Sequence, residues 1–138
     1  MAELNMTKVG VRCPDIETLE GYVQRRLEAD GECCIFTRFL PKRAEELIGG
    51  SLYWIIRSRL ACRQRILGFG DGVDWQGRAR VKVLLDPAVV RVVPLHFRPH
   101  QGWRYLEATD APPDLDGIGG GEGLPPEMLA DLAKLDLI

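Results

Sequence analysis

The chain has 138 residues, 46% hydrophobic and 28% charged, a balance that predicts one globular domain with its own core and excludes a disordered chain. Its net charge of −2 conceals a partition: residues 38–104 hold thirteen Lys and Arg against five Asp and Glu, while both flanks are acidic, so only the middle suits a polyanion. No apolar run approaches the roughly 18 residues of a membrane span.

The first ten residues mix Glu3, Asn5 and Lys8 with apolar residues, which is not the pattern of a signal peptide. Without an export signal, Cys13, Cys33, Cys34 and Cys62 read as reduced, buried thiols of a cytoplasmic protein. Met6 to Arg12 predicts a strand. Pro14 and Asp15 then open a helix whose apolar residues Ile16, Leu19, Val23 and Leu27 recur at helical spacing until Gly31. Cys33 to Leu40 predicts a second strand, and Pro41 opens a short polar helix, Lys42 to Ile48, closed by Gly49 and Gly50.

From Ser51 to Phe69 neither Pro nor Gly interrupts the chain apart from Gly68, and the aromatic and β-branched start favours a strand, bent near Ser58 because the run is too long for one ordinary strand. Gly68 to Gly72, with Gly77, predicts a loop. Arg78 to Leu85 alternates basic and apolar as a half-buried strand does. Asp86-Pro87 turns into a strand from Val89 to Val93, ended by Pro94, and Gly102 to Glu107 predicts the last strand. The domain body is thus residues 1–106. Residues 107–124 read as an acidic Gly/Pro-rich linker, and residues 125–138 as a helix that docks on the body through Met128, Leu129, Leu132 and Leu135.

Arg57, Arg59, Arg63 and Arg65 stand at alternate positions, so an unbroken strand places all four on one face, and Arg78, Arg80 and Lys82 repeat the pattern on the next strand. Seven like charges on one sheet surface repel unless anions cover them, either phosphates or the acidic segment Asp110 to Glu122. The competing reading is a solvated face whose Arg stems cover apolar surface. In Arg98 to Leu106, Trp103 and Tyr105 stand beside Arg104, the chemistry by which proteins stack unpaired bases. As large aromatics they serve equally well as core or lid residues.

His96 and His100 are separated by Pro99 and lack paired cysteine ligands, so no metal centre and no cofactor is expected. The glycines from Gly117 to Gly123 follow no strand and lie among Asp114, Asp116 and Glu122, which repel phosphate. Ser51 lacks the second glycine of a nucleophile elbow, since Tyr53 stands there.

The segments LPKRAEELIGGSLYWIIRSRLACRQRILGF (40–69), LDP (85–87), QGWRYL (101–106) and ATDAPPDL (108–115) resemble an uncharacterised family of small alphaproteobacterial proteins, a domain of unknown function. That resemblance implies no activity; its members often carry Gly where this chain has Ser58. The order of strands and helices with a basic surface is also similar to the pseudobarrel domains of the PUA, ASCH and EVE kind, which implies RNA or modified-base binding.

The fold expected is α+β, a mostly antiparallel sheet curled into a small PUA-like barrel with flanking helices, with an open two-layer α+β sandwich as the alternative. The function expected is a nucleic-acid or nucleotide-binding accessory protein. Arg57, Arg59, Arg63, Arg65, Arg80, Lys82 and Arg104 would contact phosphate, and Trp103 and Tyr105 would stack a base. The expected partner is RNA or a nucleotide, with no membrane. Binding of an acidic protein partner, or an enzyme site without a recognisable motif, are the alternatives.

Overall fold

The computed structural model describes residues 4–10, 13–74 and 76–115. After β1 (Leu4–Val9), Asp15 caps α1 (Ile16–Asp30): its carboxylate accepts the Thr18 backbone N–H at 2.7 Å and the Thr18 hydroxyl at 2.6 Å. Gly31 ends the helix in the left-handed conformation, φ 75°, and its N–H is bonded to the Leu27 carbonyl. Ile16, Leu19 and Val23 form the buried stripe. β2 (Cys33–Thr37) leads to α2, which is a single turn (Ala44–Leu47) shorter than the expected Lys42–Ile48, because Pro41 to Arg43 form a turn instead.

The run after Ser51 is two strands, not one bent strand. β3 (Ser51–Ile56) and β4 (Arg59–Val73) are joined by Arg57 and Ser58, with φ 53° and 61°. Two consecutive positive φ values in a two-residue connection make a type I′ turn, whose twist matches that of the flanking strands. Gly68, Gly70 and Gly72 are not a loop either. They lie inside β4, opposite Leu84, Lys82 and Arg80 of β5 (Ala79–Leu85). At Gly72 the reason is space, since a Cβ would stand 3.0 Å from the Phe36 ring and 3.2 Å from Lys82 Cβ. β6 (Val90–His96) continues through Pro94 because its ladder to β4 shifts between Leu60 and Cys62, and the proline falls in that irregular stretch. β7 (Trp103–Glu107) follows.

The strand order is β2-β5-β4-β3-β1-β7, with β6 also paired to β4. β1 runs parallel to β3, so the chain crosses over between them through α1, β2 and α2; the other pairs are antiparallel. The expected barrel does not close: β2 and β7 end the sheet, each paired on one side only and not to each other. Ile16, Leu19 and Val23 of α1 instead cover the sheet face that closure would have turned inward, together with Met6, Leu52, Trp54, Cys62 and Ile66. This is the open α+β arrangement. A smaller cluster of Tyr53, Ile55, Leu60, Val92 and Leu106 lies on the opposite face.

Beyond β7 the chain stays on the body as far as it is described. After a 3₁₀ turn (Ala108–Asp110), Asp114 makes a bridge to Val92 of β6, and Leu115 N–H donates to the Arg91 carbonyl. Asp114 also receives both the Nε and Nη2 of Arg63 at 2.7 Å, a bidentate pair. The expected helix at 125–138 and the second half of the expected linker lie outside the described residues.

Three expectations follow. Trp54, 8% exposed within the larger cluster, should cost about 3 kcal/mol or more when truncated to Ala, read as a shift of the urea midpoint; an unchanged midpoint would show that the cluster does not depend on it. Ser58→Gly should stabilise by about 1 kcal/mol by relieving a positive φ on a residue with a Cβ, and a loss of stability would refute the I′ assignment. Hydrogen bonds from Arg63 hold the Asp114 carboxyl below its usual 3.8, so the stability it adds is present above that value and lost as the pH falls through the lower, folded value. Asp114→Asn should therefore lower the Tm by about 2–4 °C at pH 7. The gap to the parent should close below pH 4, and a gap that persists there would contradict the ion pair.

Candidate functional site

The expected phosphate contacts do not form one surface. Arg57 is in the turn, and a register shift between Trp54 and Ile55, where Ala61 is the extra residue of β4, separates the others. Arg59 stands opposite Ile56, on the helix-covered face, whereas Arg63 and Arg65 stand opposite Tyr53 and Ser51 on the other. Leu60, Cys62 and Ile66 are fully buried, as expected, but Leu60 belongs to the smaller cluster. Arg65 is exposed; Arg63 is only one-fifth exposed, clasped by Asp114 and donating to Ser51 Oγ at 3.0 Å. Arg80 lies 3.6 Å from Asp74, and Lys82 is paired with Glu32, whose hydrogen bond pushes the ammonium pKa up.

The aromatics are separated from Arg63 and Arg65 too. Trp103 and Tyr105 pair with Lys8 and Met6 of β1, which pair with Trp54 and Leu52 of β3, so both rings lie on the helix-covered face. Arg104, opposite Thr7, is exposed on the other face. The two rings meet edge to face at 4.9 Å, and the Tyr105 hydroxyl accepts the Arg43 backbone N–H at 3.1 Å. These contacts give both half-buried rings a packing role, one of the two their sequence allowed.

What the fold does assemble is a cleft of about 800 Å³ between α1, β2, the end of β1 and the tip of the β4–β5 hairpin. Its apolar wall is Leu19, Val23 and Trp54. Among the described lining residues, Lys8, Arg25, Arg26, Arg78 and Arg80 are cationic, and Asp74 is the single carboxylate. A second hollow of about 560 Å³ shares Arg26, Cys34, Phe36 and Asp74 with it and reaches Lys82.

Each cation is delivered by a local rule. Arg25 and Arg26 follow Val23 on the helix and so emerge beside its buried stripe; Arg25 lies 5.0 Å over the Tyr22 ring. Arg26 lies 3.5 Å from Asp30, one turn on. Asp74 accepts the backbone N–H groups of Gln76 and Arg78, a turn that brings Arg78 and Arg80 back to the cleft and holds the Asp74 carboxyl below its usual range. Lys8 comes from β1, in register between Trp54 and Trp103, and is half-buried with no acidic partner among the described residues. Burial pushes its pKa down.

Sequence reasoning missed Lys8, Arg25, Arg26 and Trp54 as site residues. The parallel ladder of β1 to the distant β3 sets Lys8 beside Trp54, and α1, which carries Arg25 and Arg26, lines the same cleft.

The thiols do not add a nucleophile. Burial raises the pKa of Cys13, Cys33 and Cys34, and pushes that of Cys62 up to about 12, so all four stay protonated near neutrality. No cluster of metal-ligating side chains forms among the described residues, and His100 instead meets the buried Thr7 hydroxyl at 2.7 Å through Nε2. No helix among them is long and apolar enough to cross a membrane.

No curated protein and no solved structure matches the chain. A family model described as a protein of unknown function does match, over residues 6–138, and the chain accordingly belongs to the DUF1489 family.

Proposed function

We propose that the protein binds a small anionic ligand of the nucleotide class in the cleft between α1 and β2. The observation that carries this reading is the excess of five cations over one carboxylate around an apolar wall that includes Trp54. A volume near 800 Å³ falls within the range of small-molecule sites, which combine apolar walls with a few placed polar groups. Arg25, Arg26, Arg78 and Arg80 offer planar donor forks suited to phosphate oxygens. Leu19, Val23 and Trp54 suit the apolar part of the same molecule.

A long nucleic acid is the less favoured form of this reading, because Trp103 and Tyr105 lie on the opposite sheet face from Arg63 and Arg65. The similarity to PUA-type domains adds only the general idea of a ligand held in a cleft. The free thiols suit a reducing, cytoplasmic setting.

The test is calorimetric titration with AMP, GMP, CMP, UMP and inorganic phosphate, with tryptophan fluorescence as a second readout. Saturable one-site binding is expected, and the Arg25→Ala/Arg26→Ala double variant should weaken it by about tenfold or more while remaining folded. Absence of heat and of fluorescence change at millimolar concentrations of every one of these probes would overturn the proposal. So would single-stranded RNA that binds tightly and is indifferent to the double variant.

A further inference from the structure

We infer that Lys8 is a covalent site of the cleft, its side-chain amine forming an imine with an aldehyde carried by the anionic ligand. The inference rests on the anion-binding part of the reading above and adds the reaction class, its ligand being an anionic aldehyde in place of a nucleotide, whose glycosidic sugar carries no free aldehyde.

Three lysines fall among the described residues, and their surroundings differ. Lys42 is exposed. Lys82 is tied to Glu32, a contact that favours its charged, unreactive form. Lys8 lines the cleft, half-buried, with no carboxylate against it among the described residues. Its in-register neighbours on both sides are tryptophans, Trp54 and Trp103, whose bulk displaces water around the aliphatic stem. Burial lowers its pKa. A lysine desolvated in an apolar pocket is a recognised form of activated amine nucleophile.

The chemistry balances without an oxidant or reductant. The Nζ lone pair adds to the aldehyde carbon and the carbonyl π pair moves to oxygen. A proton passes from nitrogen to that oxygen, giving a carbinolamine. Loss of one water then leaves the C=N bond. Arg25 and Arg26 would hold the anionic group, so that attack takes place within a bound complex rather than by collision. The ligand class is therefore a phosphorylated or otherwise anionic aldehyde.

The experiment uses the full chain with pyridoxal 5′-phosphate as the probe, borohydride to reduce the C=N bond to a stable secondary amine, and peptide mass mapping to locate the label. At neutral pH the label should fall on Lys8 in preference to Lys42, Lys82 and Lys134. Pyridoxal, which lacks the phosphate, should label Lys8 about tenfold more slowly, as the loss of a bound encounter predicts. Lys8→Arg, checked for folding by its melting curve, should abolish the specific label, and AMP or phosphate added to the parent chain should slow its labelling. A label spread evenly over the lysines, or equal rates with and without the phosphate, would overturn the inference. If AMP or phosphate binds and Lys8 still resists labelling, the covalent step is wrong and the anion cleft stands; if neither binds nor labels, both are wrong.

Discussion

The buried amide of Gln64 is the point at which the two halves of the sheet are tied together. Its side chain is fully buried, so every polar atom it carries needs a partner. Trp54 Nε1 donates to Oε1 at 2.9 Å, and Nε2 donates to the Asp86 carbonyl at 3.0 Å and toward Cys33 Sγ at 3.4 Å. One residue of β4 thereby joins β3, β2 and the turn between β5 and β6. Removing the amide would leave an indole N–H and a backbone carbonyl unsatisfied in the core. The same network orients Trp54, and with it the apolar wall of the cleft and the strand position from which Lys8 projects.

A second constraint is how closely the backbone approaches at Gly50. A Cβ there would stand 2.0 Å from the Leu4 carbonyl oxygen, and the adjacent Ser51 N–H donates to Asn5 Oδ1 at 2.9 Å. The start of β1 is therefore seated directly against the start of β3, which sets the parallel register in which Lys8 meets Trp54. Gly50 acts just before the start of β3 and Gln64 through Trp54 in its middle, and together they fix the strand against which Lys8 is set. The cations at the mouth of the cleft come from elements with more freedom, the surface of α1 and a hairpin tip, which suits a site that takes up a ligand from solution.

Much of this architecture is legible from local chemistry. Asp15 and Gly31 bracket α1 because capping depends on the residue itself. Asp86-Pro87 marks its turn for the same reason. The errors arise where tertiary contacts override local preference. Gly68, Gly70 and Gly72 look like a loop but form a strand, because Phe36 and Lys82 need the space over one of them. The alternate arginines look like one stripe, but a single extra residue at Ala61 sends Arg59 and Arg63 to opposite faces, since strand side chains alternate with period two. The cleft was illegible for a different reason. Lys8, Trp54 and Arg25 have no common motif or spacing, and each reads alone as an ordinary surface or core residue.

The placement of β1 has a consequence for how the molecule comes to be folded. It pairs with β3 on one side and with β7 on the other, with Leu4 opposite Glu107. A chain emerging from the ribosome presents β1 before either strand it pairs with, so its hydrogen bonding is complete only after β7 has been made. Contacts so distant in sequence carry a high loop-closure entropy and slow the search for the native topology. Until β7 arrives, one edge of β1 offers unpaired backbone groups to any other extended chain. The β3–β4 hairpin, closed by its two-residue turn, is the element able to form early, and β1 would then add to a template already in place.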